Sequence, residues 1–306
     1  MPQRAVDEIL DIDPRHAPCR TLGPPRLLHT MSSPQTLTIE AGRADRQYWQ
    51  DLWRYRELFL VLAWRDVAVR YKQTIIGAAW AVLQPLATLI IFTVLFGYLA
   101  KLPTEGGAPY PLLVFAGLLP WQLFASSTGA ISNSLVGNSN LISKVYFPRL
   151  IVPASAMVVC LIDFAVSLVL LVGLMLWFGH WPGWQVLLLP CFVVMAVLAS
   201  LGPGLFITAL NVKYRDFRIV IPFIIQMGLY VSPVGFSSGV VPEKWRLLYS
   251  LNPMVGVIDG FRWAVLGGDV NIYWPGFALS WCVIAFFLWL GISKFRAMER
   301  SFADLI

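Results

Sequence analysis

The feature that most restricts this chain is a run from Ile75 to Ala100 without one Asp, Glu, Lys or Arg. Coiled as a helix at about 1.5 Å per residue, it exceeds the roughly 30 Å of hydrocarbon in a bilayer. Immediately before it lies RELFLVLAWRDVAVRYK, residues 56–72. There Leu60, Trp64, Val67, Ala68 and Tyr71 recur at helical spacing as one apolar face. Arg65, Asp66, Arg70 and Lys72 occupy the other side, with Asp66 four residues before Arg70, the favourable order for a helical ion pair. The spacing predicts an amphipathic helix over 52–72, lying in the headgroup layer and feeding a spanning helix. Arg54, Arg56, Arg65, Arg70 and Lys72 hold that side in the cytoplasm.

Further apolar runs follow, and the chain is 58% hydrophobic but only 13% charged, against about a quarter in soluble domains. The fold class expected is an all-α integral membrane protein. Six spans are expected at 75–99, 111–136, 151–178, 186–210, 219–236 and 273–293, within a domain covering 47–300. Residues 1–46 read as a mobile cytoplasmic tail, with Met31 an alternative start, and 301–306 as a short cytoplasmic C-terminal tail. Gln84-Pro85 predicts a kink in the first span and Gly202-Pro203-Gly204 a break in the fourth. The second half of span two, ASSTGAISNS, suits close helix packing or a wet surface rather than lipid. Between spans five and six, Pro242 opens one short helix. Asn252-Pro253 caps a second, which Gly267 ends, with Val257, Ile258, Phe261 and Val265 as its apolar face. Lys and Arg near the spans number thirteen on the expected inner side and four outside (Lys101, Lys244, Arg246 and Arg262), so both termini are expected in the cytoplasm.

The chemistry of a self-sufficient enzyme is missing from the sequence. There is no GxxxxGK[ST] to cradle ATP phosphates, no HExxH and no GxSxG. The four cysteines (Cys19, Cys160, Cys191 and Cys282) lack metal or redox spacing, and two of the three histidines, His16 and His29, fall in the N-terminal tail. Net charge is +6, but its basic residues are scattered between apolar runs, which orients the chain and argues against nucleic acid as a partner. Asp163 is the one acid inside a span. It costs about 3 kcal/mol at a helix centre, which the surrounding aliphatics offset.

WRDVAVRYKQTIIGAAWAVLQP (64–85), LLVFAGLLPWQLFASS (112–127), NSNLISKVYFPRLIVP (138–153), LNVKYRDFR (210–218), and SPVGF with LNPM (232–236 and 251–254) together resemble the membrane subunit of polysaccharide-exporting ABC transporters. The likeness covers about residues 36–300. It implies a permease that pairs with a second copy of itself and with two separate ATPase subunits. ATP and Mg would sit on those partners, with no cofactor or metal on this chain. It implies a lipid-linked polysaccharide such as O-antigen, capsule or teichoic acid as substrate, and residence in the inner membrane. Carried onto these residues, the ATPase-coupling helix falls on Asn138 to Phe147, with Asn138, Leu141, Lys144, Tyr146 and Phe147 as its candidates. The outer gate helices fall on Pro242–Ser250 and Pro253–Leu266, with Trp245, Tyr249, Phe261 and Trp263.

Two roles remain open for the basic face of Arg65, Arg70 and Lys72: anchoring to anionic membrane lipids, or guiding a pyrophosphate-linked substrate to a lateral portal. Tyr98, Tyr230 and Phe236 are the candidate channel aromatics, because sugar rings stack on aromatic faces and these residues lie toward the outer side. The alternatives from other classes are a membrane-embedded enzyme acting on lipid-linked glycans and an ion-coupled transporter built on Asp163.

Overall fold

The computed structural model describes residues 45–72, 75–101, 107–214, 216–267 and 272–299, and among these every regular element is helical. The expected tails, the alternative start at Met31, Cys19, His16, His29, Arg215, Asp269 and Arg300 lie outside the described residues. In chain order the helices are α1 (Asp45–Arg54), α2 (Arg56–Lys72), α3 (Ile75–Phe92), α4 (Tyr110–Gly137), α5 (Ser139–Ile142) and α6 (Ile151–Phe178). They continue with α7 (Leu189–Lys213), α8 (Phe217–Val231), α9 (Glu243–Tyr249), α10 (Pro253–Leu266) and α11 (Trp274–Glu299).

Five segments are long and apolar enough to cross a membrane: Ala79–Leu99, Tyr110–Gly137, Ile151–Phe178, Trp184–Lys213 and Trp274–Glu299. The expected fifth span is shorter than its sequence run. α8 ends at Val231 after 15 residues, about 22 Å, because Ser232 precedes Pro233 and is driven to extended backbone. Residues 232–235 then run as irregular chain, buried within the protein, where non-helical backbone is tolerated at membrane depth.

α4 is the centre of the bundle. Of its most apolar window 72% is buried, against 17–33% for the other four spans, and it packs on α6, α7 and α10. One apolar cluster surrounds its first half and takes in Val257, Ile258, Phe261 and Val265, the face expected of α10. A second, smaller cluster joins Leu62 of α2, Ile131 and Leu135 of α4, Ile142, Phe147, Ile151 and Phe295 of α11. The two helices before the first span therefore share a core with the connection after α4.

One helix-breaker reading is corrected. α7 runs unbroken through Pro203, and its glycines serve packing. A Cβ at Gly202 would lie 2.6 Å from the Phe287 carbonyl carbon of α11, one at Gly291 would strike the Gly202 carbonyl, and one at Gly204 would lie 2.8 Å from Ile131. The α7 and α11 backbones thus touch, which only glycine permits. α3 is helical through Pro85, and a π-helical turn follows over Thr93–Leu99.

Candidate functional site: a polar cleft, a hook after α4 and a pinned irregular segment

The expected amphipathic helix is two helices, α1 and α2, separated at Tyr55. The stripe it packs against the protein is distinct from the apolar face expected to meet the headgroup layer. Leu62 and Ala63 are buried, with Tyr55, Leu58 and Phe59 packed beside Leu62, while Leu60 and Trp64 are 61% and 74% exposed. The LFLVLAW run is apolar all round, and the inner core takes the 55–59–62 stripe, leaving Trp53, Leu60 and Trp64 facing outward.

In place of the expected Asp66–Arg70 pair, Asp66 pairs with its neighbour Arg65 and Arg70 with the distant Asp163. Arg65 Nη2 donates to Asp66 Oδ1 and to Asn138 Oδ1, each at 2.7 Å. Arg70 Nη2 lies 2.6 Å from Asp163 Oδ2, and the Tyr71 hydroxyl donates to Asp163 Oδ1. The intramembrane acid is thereby held by two groups of α2. Burial, then the hydrogen bond and charge of Asp163, push the Tyr71 phenol up to about 12. All three cations named for a lateral portal are exposed, and two of them, Arg65 and Arg70, are also engaged by protein groups.

The hook after α4 is a short helical segment: α5 covers Ser139–Ile142, and the amides of Ile142, Ser143 and Val145 bond back to the carbonyls of Asn138, Ser139 and Leu141, which carries helical turns on toward Pro148. Asn138 sits at its start and donates through Nδ2 to Ser134 O at 2.9 Å. Lys144 and Tyr146 project outward, Tyr146 at 71% exposure; Leu141 is half-buried, and Phe147 is 4% exposed within the inner cluster. At the far end the Arg149 amide donates to Glu299 Oε1 at 2.9 Å, and the Arg149 guanidinium donates to the Glu299 carbonyl. The Tyr48 hydroxyl donates to the same carboxylate at 3.5 Å, beneath Arg296 at 4.9 Å from its ring. Burial and the Glu299 charge hold the Tyr48 phenol above its usual range. The hook is thus tied to α2 at one end and to α1 and α11 at the other.

On the opposite side, α9 and α10 follow the irregular segment. Asn252 caps α10 by accepting from the Met254 amide at 3.1 Å, and Gly267 closes it at φ 93°. Of the gate candidates, Trp245 is 54% exposed and Tyr249 donates to Val231 O at 2.8 Å. Phe261 is fully buried, edge-on to Phe164 at 6.1 Å, and Trp263 packs between Trp184 and Phe192. Arg262, counted from sequence among the four outer cations, is 1% exposed. It donates to Leu113 O (3.1 Å), Phe236 O (2.8 Å) and Val234 O (2.8 Å), pinning the irregular segment to α4. Gly117 makes room for it, since a Cβ there would lie 2.7 Å from Arg262 Nη2. The signal was present: Arg262 stands four residues after Ile258 and three before Val265, on the buried face.

A cleft of about 380 Å³ opens between α3, α4 and α8. Each helix turns a polar stripe into it: Gln84 and Thr88; Gln122, Ser126 and Asn133; Arg218 and Gln226. The intervals are three and four residues or sums of them, so each set lies on one helical face. Asn211 of α7 closes the cleft near the hook end of α4. Tyr98 and Tyr230 are 80% and 58% exposed outside it, and Phe236 lies against Tyr249 at 6.5 Å. The amide stripes were missed as a set because they come from separate stretches. Only ASSTGAISNS signalled polarity within a span.

Long apolar helices around a cleft lined with amides, with the intramembrane acid held by neighbours, are the architecture of a polytopic membrane transport protein. The family description "ABC-2 type transporter" matches residues 57–266, from α2 to the end of α10, and the chain belongs to that family. Among its relatives, the O-antigen export system permease protein RfbA of Myxococcus xanthus is 27% identical over 84% of this chain and 98% of its own length. The protein of the same name from Klebsiella pneumoniae is 26% identical over 82% and 95%. The polysialic acid transport protein KpsM of Escherichia coli is 24% identical over 78% and 92%.

Proposed function

We propose that this chain is the permease subunit of an ATP-driven exporter that carries a lipid-linked polysaccharide across the inner membrane. The observation that carries the reading is the polar cleft inside a charge-poor bundle of this family. The printed functions of its relatives, O-antigen export and polysialic acid transport, supply the cargo class. The chain acts with a second copy of itself and two ATPase subunits, which bind ATP and Mg and dock against the hook through Lys144 and Tyr146. α8, extended by residues 232–236, counts as the fifth of six crossings. Both termini then face the cytoplasm, as the thirteen-to-four distribution of Lys and Arg supports. α9 and α10 form the outer gate, with Trp245 its most exposed aromatic. Arg70 and Tyr71 anchor the interface helix through Asp163, which accounts for this acid without proton coupling. The test is deletion of the gene and complementation. Surface glycan is expected to vanish, to return with the wild-type chain, and to stay absent when the partner ATPase carries an inactive nucleotide site. Export that persists with the ATPase inactive overturns the proposal.

A further inference from the structure

The cleft carries an inference about what it grips, and this inference rests on the proposed export function. Asn211 is 2% exposed. Its Nδ2 donates to Ser132 O at 2.8 Å, but its Oδ1 is buried without a hydrogen-bond partner. A buried acceptor left without a donor is unfavourable, and a donor entering from the cleft would satisfy it. The lining also carries the amides of Gln84, Gln122 and Gln226, a group type with both a donor and an acceptor, and that of Asn133, whose Nδ2 donates to Gly129 O at 3.0 Å and whose Oδ1 is left as an acceptor.

This donor set discriminates between ligand classes. A phosphate offers only acceptors and would face the Asn211 oxygen, with Arg218 as the one cation in the lining. A metal ion calls for carboxylates, and the lining has none. A sugar hydroxyl donates and accepts at once and complements an amide on either side. Trp121 lines the cleft at 6% exposure, so its ring faces are covered and stacking is not the mode of recognition. The volume of about 380 Å³ falls within the range of about 300–1,000 Å³ typical of small-ligand sites.

We propose that the cleft between α3, α4 and α8 is a hydroxyl-reading site, in which Asn211, Asn133, Gln122 and Gln226 hydrogen-bond neutral sugar units of the glycan near the hook end of the bundle. The site holds sugars by exchangeable amide hydrogen bonds, each easily traded for the next hydroxyl along the chain.

The experiment uses the full-length permease with its ATPase in cells, reading surface glycan per copy of membrane-inserted permease. Asn133 and Gln226 are exposed on the cleft wall, so Asn133→Leu with Gln226→Leu leaves the packing intact. The double variant is expected to lower export at least fivefold, with assembly and ATP hydrolysis retained. Asn133→Gln with Gln226→Asn, which keeps the amides, is expected to restore most of it. Export within twofold of wild type in the leucine variant overturns the site. Loss in Arg218→Gln alone, with the leucine variant unaffected, identifies an anion-binding cleft and overturns it too. So does efficient disulfide formation between copies carrying Asn133→Cys or Gln226→Cys, together with protection from a water-soluble thiol reagent, because the cleft is then a closed seam. If the wild-type chain restores no export, the proposed function fails first; if it restores export and the leucine variant does as well, only the cleft reading fails.

Discussion

Replacing Arg262 by Met tests the pinned irregular segment most directly. The two side chains are of similar length, so the change removes a guanidinium while filling much of the same space. The Val234 and Phe236 carbonyls, each bonded to Arg262 at 2.8 Å, lie in buried irregular chain whose backbone groups depend on such partners. Each orphaned carbonyl costs about 1–3 kcal/mol. Relief from burying a charge returns part of this, leaving a net loss of about 2–4 kcal/mol. At about 2–4 °C per kcal/mol, the unfolding midpoint should fall by about 4–16 °C. The assay is thermal unfolding of detergent-purified protein, followed by exposure of the thiol of Cys160, which is 4% exposed in the fold. Arg262→Lys keeps the charge but lacks the planar fork and should fall between the two. Gly117→Ala drives a methyl against the guanidinium and should cost less in the Arg262→Met background than alone. A midpoint for Arg262→Met within 2 °C of wild type, on the scale of about 2–4 °C per kcal/mol, would refute the reasoning.

Phe147→Ala should destabilise the protein by about 3–5 kcal/mol in the same assay, since its ring sits in the inner cluster, whereas Tyr146→Ala should leave stability unchanged and reduce ATP-driven export. Gly291→Ala should sharply reduce the yield of monodisperse protein on size-exclusion chromatography, because the methyl meets the Gly202 backbone and no side chain there can give way. The Tyr71 phenol ionises at about 12 in the fold, above its ordinary value of 10, so its share of stability is complete below pH 10 and is lost as pH rises toward 12. Ultraviolet titration of tyrosinate should show that midpoint falling in Asp163→Asn, and the same variant should retain export.

Much of the fold is written in local signals. Charge-free runs mark the long helices, and Asn252-Pro253 with Gly267 fix α10, because caps act within a few residues. The stop of α8 was equally local, in Ser232-Pro233, but the apolar residues beyond it masked the signal. What escaped were choices made by tertiary packing. Arg65 reaches Asn138 and Arg70 reaches Asp163, partners far along the chain that the nearer Asp66 concealed. Gly202 reads equally as a breaker or as a contact until α11 is placed beside it. The cleft was half legible: Gln122, Ser126 and Asn133 share a helical face in the sequence, but nothing local says that Gln84 and Gln226 stand opposite.

The crossing of α7 and α11 has a mechanical corollary. Where two main chains meet with no side chains between them, neither can rotate or slide without steric collision, so this pair behaves as a stiff spine. α3 and α8 border the cleft with most of their surfaces uncovered, and Ile221 is the one residue of α8 that is buried. On the proposed reading, in which ATPases push on the hook, the compliant direction expected in this subunit is the flank that carries α3 and α8, with the spine holding its register.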